Sequence, residues 1–188
     1  SVRTPASYCN VIGYKPSYGM VSRSGVVSMV NTLDQVSVFA KNIADIREIS
    51  QVIEGPDEKD MTVRLDSYTY DYAKYSFEGK KIAYIPADDE LNKGIDDVVR
   101  KDYELALEKL EELGADLQPI KMEYAKYANQ VYNVVMSSEV SSNMSRFDGV
   151  RFGHQSDKYG SVDELFLNSR SEGLGEEVQR RIALGTMY

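Results

Sequence analysis

Residues 81–122 read KIAYIPADDELNKGIDDVVRKDYELALEKLEELGADLQPIKM. The apolar run at 81–85 predicts a β-strand that ends before a proline, and residues 115–122 predict a second strand. Between them, residues 95–113 repeat apolar side chains at helical spacing and are followed by Gly114. The apolar stripe consists of Val99, Tyr103, Ala106, Leu110 and Leu113. A strand, a helix and a strand over this length indicate a parallel βαβ unit, and therefore an α/β fold.

The rest of the chain predicts further elements on both sides of this unit. Isoleucines recur at three- and four-residue spacing in 42–54, which predicts a helix, and 26–30 reads as a short strand. Residues 123–146 predict a long helix. A capping box at Ser161–Glu164 opens another helix, and a last one begins near Gly175. Alternating tyrosines at 68, 70 and 72 fit either an edge strand or an irregular connection.

Composition and charge narrow the class of protein. The 188 residues are 42% hydrophobic and 28% charged, which suits one globular domain with a core. The formal net charge of −8 gives no counterion release on nucleic acid, so any RNA contacts are expected on another polypeptide. No apolar run approaches the roughly 20 residues of a membrane helix.

The single cysteine and the single histidine point away from disulfide and metal chemistry. Cys9 has no internal partner for a disulfide, which fits a reducing cytoplasm, and its apolar neighbours predict a buried side chain. His154 lies in a polar stretch without cysteine or histidine companions. We therefore predict a loop position for His154 and no metal site.

The first residues carry the chemistry. They read Ser1-Val2-Arg3-Thr4-Pro5, and Val11-Ile12-Gly13-Tyr14-Lys15-Pro16-Ser17-Tyr18-Gly19 follows. This pattern resembles the end of the amidase-signature motif, whose serine attacks a carboxamide. The resemblance implies that Ser1 is the nucleophile and that Arg3 is a structural brace of the active-site turn. It further implies that 1–188 is a partial amidase-signature domain, without the N-terminal part that holds a catalytic lysine and a second serine, and without the C-terminal part.

The segment Asn31–Gln35 also resembles a segment of the amidase-signature family. Three longer blocks resemble one branch of that family, namely Ser137–Asn143, Arg146–Gly153 and Arg170–Thr186. They are similar to the A subunits of glutamyl-tRNA(Gln)/aspartyl-tRNA(Asn) amidotransferases. The fold implied is part of the amidase-signature fold, a mixed β-sheet covered by α-helices. The activity implied is hydrolysis of glutamine through a serine acyl-enzyme, which supplies ammonia for the ATP-dependent amidation of misacylated tRNA.

The resemblance also implies partners and substrate contacts. The B and C subunits of the amidotransferase would complete a cytoplasmic heterotrimer, in which the larger partner holds ATP, Mg and most of the tRNA, and this chain holds no cofactor. Tyr132 matches a substrate-contacting tyrosine, although a place in the core would also explain it. Arg181 matches an arginine that pairs with the α-carboxylate of glutamine, a task that suits a two-pronged guanidinium. Adjacent Arg180 is an alternative for that role.

Several residues have a structural interpretation instead. Asn10 replaces a usual glycine, and asparagine is the least costly replacement where φ must be positive. The serines at 137, 138, 141 and 142 are predicted to allow close helix packing, and the glutamates at 108, 111 and 112 to form a solvated helix face.

Three other functions remain open at this stage. A free-standing amidase acting on small amides would keep the fold without the tRNA partner. An N-terminal-nucleophile hydrolase would use the α-amino group of Ser1 as its base, but the βαβ pattern argues against its antiparallel sandwich. Third, the piece could be an inactive interaction fragment, because the general base would lie upstream of Ser1.

Overall fold

The computed structural model describes residues 2–65 and 75–188, so Ser1 and the tyrosine alternation at 68–72 lie outside the described residues. The helices are α1 (Arg3–Tyr8), α2 (Ile43–Ile53), α3 (Asp97–Glu112), α4 (Ala128–Met144), α5 (Val162–Gly173) and α6 (Glu176–Gly185). The strands are β1 (Ile12–Tyr14), β2 (Val38–Ala40), β3 (Lys81–Tyr84) and β4 (Asp116–Pro119). The chain divides into two compact units. The first unit comprises Ser1–Tyr68 and Asn133–Tyr188, and the second unit comprises Thr69–Tyr132.

The second unit confirms the predicted βαβ arrangement. Strands β3 and β4 pair in parallel, with Ile82 opposite Leu117. The side chain of Asp96 caps α3 by accepting from the backbone N–H of Val98 at 3.0 Å. Strand β4 is shorter than the predicted 115–122, and its last contact with β3 is the hydrogen bond from the N–H of Ile120 to the carbonyl oxygen of Tyr84 at 2.8 Å.

The apolar stripe of α3 has the predicted spacing but is not buried. Val99 is 56% exposed and Leu113 is 45% exposed. None of the helix's residues is buried against the part of the chain that the structure describes. Glu108, Glu111 and Glu112 on the same helix are exposed, as predicted. The helical periodicity of the sequence therefore predicted α3 correctly, but it did not predict which residues, if any, pack against its apolar face.

In the first unit, β1 and β2 form an antiparallel pair and α2 follows β2. Ile12 lies opposite Ala40, and Asn42 caps α2 by accepting from the N–H of Asp45 at 2.9 Å. The helix predicted at 42–54 is thus confirmed. Sequence patterns did not predict β1, β2 or α1.

The strand predicted at 26–30 is wrong. The backbone N–H groups of Met29 and Val30 donate to the carboxylate of Asp34 at 2.8 and 2.9 Å. These donors are therefore satisfied within a local turn, not by a neighbouring strand. The side chain of Val30 is nevertheless buried, at 2% exposure, whereas that of Val27 is 72% exposed, so only the end of the apolar run belongs to the core.

The core of the first unit is built on the C-terminal half of α4. It consists of Val30, Met136, Val140 and Met144, with Met29, Phe147, Val178 and Ile182 packed against it. Helix α6 crosses α4 at Gly185, where an added Cβ would lie 1.9 Å from the carbonyl oxygen of Ser137 and 2.7 Å from the Cβ of Ser141. Small residues on both helices thus permit close contact, as predicted for the serines of α4.

Helix α4 begins later than predicted. A 3-10 turn occupies Ala125–Tyr127, and the α-helix runs from Ala128 to Met144 instead of 123–146. The capping box of α5 is confirmed in one direction, since Ser161 accepts from the N–H of Glu164 at 3.2 Å. Glu164 accepts from Gly160 at 2.7 Å and not from Ser161. Helix α6 fulfils the prediction of a last helix near Gly175.

The prediction that Cys9 is buried is wrong, because its side chain is exposed. Helix α1 buries Val2 and Ala6 instead, and the chain then reverses through Asn10 at φ 51°. Asn10 is the one non-glycine residue with positive φ among those described, which supports the conformation inferred from its position.

Candidate active site

The segment after Ser1 is held against β1. Ser1 itself lies outside the described residues, so its assignment as nucleophile stays a prediction. Val2 and Ala6 are 8% and 6% exposed. A Cβ on Gly13 would lie 2.8 Å from both the Val2 carbonyl oxygen and the Ala6 Cβ. Glycine at position 13 therefore lets α1 lie directly on β1, and this contact fixes the backbone that continues from Ser1.

Arg3 lies in the first turn of α1 and is exposed. It makes no hydrogen bond or ion pair with residues 2–65 or 75–188. Its role as a brace of the active-site turn stays a prediction, because the serine beside it is not described.

Tyr132 lies in the N-terminal half of α4, at the end of the second unit. It is 51% exposed, and the neighbouring Val131 and Val135 are 59% and 45% exposed. Packing in a core of the described residues therefore does not account for Tyr132. Its half-exposed ring leaves both an apolar face and a phenolic hydroxyl available for a ligand.

Arg181 and Arg180 lie on α6 and share one carboxylate, that of Glu177. Arg181 donates from Nε to Oε1 of Glu177 at 2.9 Å. Arg180 donates from Nε to Oε2 at 2.8 Å and from a terminal nitrogen to Oε1 at 2.7 Å. The Arg181 side chain is 30% exposed, whereas that of Arg180 is 59% exposed. Arg180 thus contacts Glu177 through two nitrogens, whereas Arg181 contacts it through Nε alone.

The two guanidinium groups keep Glu177 ionised. Hydrogen bonds from Arg180 foremost, and then from Arg181, lower the pKa of Glu177 to about 2. The same contact raises the pKa of Arg180. The cluster therefore carries one negative and two positive charges at neutral pH. Glu177 was not predicted from the sequence, although its three- and four-residue spacing from the two arginines indicates helical ion pairs.

Two of the blocks that resemble the family meet in the first unit. Glu139 of α4 accepts from the N–H and the hydroxyl of Thr32 at 2.9 and 2.5 Å. Asn143 donates to the carbonyl oxygen of Met29 at 3.1 Å. The block at 137–143 therefore fastens the loop that carries the block at 31–35.

The other two blocks meet in the same way. Arg170 of α5 donates to the carbonyl oxygens of Met144 and Phe147 at 2.8 and 3.2 Å, which connects α5 to the C-terminal end of α4 and the turn that follows it. Ser169 accepts from the N–H of Ser156 at 3.0 Å. Helix α5 thereby holds the loop 145–160 in place.

His154 lies in this loop, as predicted, beside a cavity of about 360 Å³. Its Nε2 lies 3.0 Å from a carboxylate oxygen of Glu172, and this contact is the main cause of a lowered Glu172 pKa. The cavity is lined mainly by apolar side chains, including Met29, Phe147 and Val178. In the described ranges no three His, Cys, Asp or Glu residues are placed to hold a metal ion. Every helix within those ranges is too short or too polar to cross a membrane.

A family model named Amidase matches residues 1–188. The chain belongs to the amidase family. Among curated members, it is 45% identical over 99% of its length to the A subunit of the glutamyl-tRNA(Gln) amidotransferase of Clostridium botulinum strain Kyoto. It is 41% identical over the same share to the corresponding polypeptide of Streptococcus mutans, which has the same name. The chain spans 38% of the length of each of these relatives.

Solved structures of amidases share the fold. The A subunit of the glutamyl-tRNA(Gln) amidotransferase of Thermotoga maritima aligns with the whole chain at a TM-score of 0.68 and 34% identity, over 36% of its own length. The peptide amidase of Stenotrophomonas maltophilia aligns at a TM-score of 0.67 and 19% identity, over 39% of its length. The α/β amidase-signature fold predicted from the sequence is thus confirmed.

Proposed function

We propose that this chain is part of the glutaminase component of a tRNA-dependent amidotransferase. The observation that carries the proposal is the 45% identity, over 99% of the chain, to the A subunit of a glutamyl-tRNA(Gln) amidotransferase. The match extends well beyond the serine motif and includes the blocks that fasten α4, α5 and their loops. These blocks favour the amidotransferase branch over a free-standing amidase.

In the proposed reaction, Ser1 attacks the side-chain carboxamide carbon of glutamine. The hydroxyl proton passes to a base, the C–N bond breaks, and ammonia leaves with that proton. Water then hydrolyses the ester between Ser1 and the glutamyl group, which releases glutamate and restores the hydroxyl. A serine needs such a base at neutral pH, and family resemblance assigns it to a lysine acting through a second serine, both earlier than Ser1 in the motif.

Arg181 is the stronger candidate for the α-carboxylate of glutamine. Its contact with Glu177 uses Nε and leaves the two terminal nitrogens, which together can grip a carboxylate. Arg180 already donates to Glu177 from both Nε and a terminal nitrogen. Tyr132 would supply a second contact to the substrate from its exposed position on α4.

The remaining parts of the proposal concern the assembly. The acidic chain would leave most tRNA contacts to the B subunit, which would also hold ATP and Mg, while the C subunit would complete a cytoplasmic heterotrimer. The product would be glutaminyl-tRNA(Gln) or asparaginyl-tRNA(Asn), made from its misacylated precursor with the ammonia released here.

The test uses the full-length gene product, expressed with its genomic neighbours and purified by a tag on this polypeptide. We expect two further subunits to co-purify and glutamine to be hydrolysed, and we expect Ser1→Ala to abolish ammonia release while glutamine still binds. Thr4→Ala, an exposed neighbour on α1, is the matched control and should retain activity. Ammonia release that survives Ser1→Ala would refute the assignment of the nucleophile. A lone polypeptide that hydrolyses small amides and ignores glutamine would favour the free-standing amidase.

A further inference from the structure

We propose that Glu177 is a positioning residue that aims the Arg181 guanidinium at the α-carboxylate of glutamine. The inference rests on the proposed function, and it assigns a task to a residue that the sequence pattern did not single out. Its basis is the shared carboxylate on α6, at which Oε1 accepts from Arg181 at 2.9 Å and from Arg180 at 2.7 Å.

The contact with Glu177 restricts the Arg181 side chain, which is 30% exposed. A free arginine side chain samples many rotamers, and ordering it on binding costs free energy. The contact from Nε to Glu177 fixes the plane of the guanidinium on one side. No other residue of the described ranges bonds to the two terminal nitrogens of Arg181, so the opposite edge of that plane is available. A carboxylate ligand would thus meet a pre-oriented fork.

The charges fit the same role. Glu177 and two arginines carry a net charge of +1, which leaves one positive charge to be neutralised by one carboxylate. Arg180 donates to both oxygens of Glu177, whereas Arg181 donates to Oε1 from Nε alone. A second contact from Arg181 to Glu177 would use a terminal nitrogen that the substrate carboxylate needs. The single contact therefore leaves both terminal nitrogens of Arg181 for the substrate.

The position of Glu177 on the helix adds to its stability as an anion. It lies in the first turn of α6, where the partial positive charge of the helix N-terminus favours a carboxylate. Its spacing of four residues before Arg181 is also the favourable order for an ion pair on a helix. Both features favour the ionised form of Glu177, which the contact with Arg181 requires.

The experiment measures glutamine hydrolysis by the full-length gene product, with its co-purifying subunits, for Glu177→Ala, Glu177→Gln and Arg181→Ala. We expect Arg181→Ala to raise the glutamine KM by about 10-fold or more, because it removes a charge-assisted contact made in both ground and transition states. Glu177→Ala should raise KM about 3- to 10-fold with kcat within about 2-fold. Glu177→Gln retains an acceptor oxygen and should restore part of the loss.

A second substrate separates positioning from damage to the fold. In glutaminamide, an uncharged amide replaces the α-carboxylate, so a residue that acts through Arg181 has nothing to position. Glu177→Ala should leave the KM and kcat for glutaminamide unchanged. Glu112→Gln is the matched control, because Glu112 also forms an exposed ion pair on a helix, with Lys109 at 2.7 Å. This variant should leave KM and kcat unchanged for both glutamine and glutaminamide.

The outcomes distinguish this inference from the function on which it rests. If Arg181→Ala raises the glutamine KM and Glu177→Ala does not, the positioning role is wrong and the proposed function stands. A loss in Glu177→Ala that is equal for glutamine and glutaminamide also overturns positioning. If Arg181→Ala leaves KM unchanged, or the wild type hydrolyses no glutamine, the substrate clamp fails and the positioning role fails with it.

Discussion

Glu139 of α4 receives two hydrogen bonds from Thr32, one from its backbone N–H and one from its hydroxyl, across 107 residues of sequence. One carboxylate thus fixes both the backbone and the side chain of a loop residue. The contact lies beside the core residues Val30 and Val140, which are 2% and 0% exposed. The contact joins the blocks at 31–35 and 137–143, each of which resembles the family in sequence. The structure thus explains why both blocks occur in the same chain.

Removal of this contact should destabilise the first unit. We expect Glu139→Ala to lower the free energy of unfolding by about 1–2 kcal/mol, because hydrogen bonds to a charged group are lost and the N–H of Thr32 loses its acceptor. Urea unfolding followed by circular dichroism measures the change. Glu112→Ala, which removes an exposed carboxylate from α3, should change stability by less than about 0.5 kcal/mol. Equal losses in the two variants would contradict a specific role for Glu139.

The crossing of α6 over α4 depends on the absence of a side chain at position 185. We expect Gly185→Ala to cost about 1–3 kcal/mol, since the new methyl group would meet the backbone of Ser137 and the helices would have to separate. Thermal unfolding measures the loss. Gly175→Ala serves as the steric control, because a Cβ there meets nothing within 4 Å, and we expect only the cost of about 1 kcal/mol or less of alanine at the N-cap of α6. A Gly185→Ala variant as stable as the wild type would mean that the two helices do not approach so closely.

Asn10 adopts a conformation that most residues avoid. At φ 51°, we expect Asn10→Ala to lose about 1 kcal/mol, whereas Asn10→Gly should be neutral or slightly stabilising. The comparison isolates backbone strain, because no hydrogen bond of the Asn10 side chain to the described residues is involved. Chemical unfolding of the three proteins gives the order. The prediction fails if alanine is tolerated as well as glycine.

Asp60 should contribute stability that depends on pH. A hydrogen bond from the Thr62 hydroxyl, together with the N–H groups of Arg23 and Thr62, lowers the pKa of Asp60 from 3.8 to about 2. Because the folded state holds the proton less tightly than the unfolded state, the contribution is complete above about pH 4. It is lost as the pH falls toward 2.

The measurement compares the free energy of unfolding of the wild type and Asp60→Asn between pH 2 and pH 7. We expect the wild type to be more stable at neutral pH, and the difference should vanish near pH 2. Glu108→Gln, which removes an exposed carboxylate from α3, is the matched control, and we expect it to change the free energy of unfolding at neutral pH by less than about 0.5 kcal/mol. A difference that stays constant with pH would rule out the ionised Asp60 as its source.

Sequence patterns predicted the elements whose signals are local. Isoleucine spacing predicted α2, the run from Lys81 and the stripe after Asp96 predicted the βαβ unit, and Ser161 marked the start of α5. The resemblance of the serine motif and of the longer blocks identified the family. These features depend on residues near one another in sequence, where helical spacing, caps and turn residues have direct consequences.

Other features depended on how the chain folds back on itself. The run at 26–30 has the composition of a strand, but the carboxylate of Asp34 takes the N–H groups that a strand would have paired. Cys9 has apolar neighbours, but α1 turns Val2 and Ala6 inward instead. Local sequence preferences allowed both a strand and a turn at 26–30, and both a buried and an exposed side chain at Cys9.

The amino-acid sequence by itself determined the family, the α/β class, the main helices and the residue types suited to amide chemistry. The tertiary structure alone decided which of two adjacent arginines keeps its terminal nitrogens available. A helical pattern places Glu177 near both Arg180 and Arg181. Only the positions of the atoms show that one arginine takes both oxygens and the other takes one, because that division is set by side-chain rotamers and packing and not by spacing along the chain.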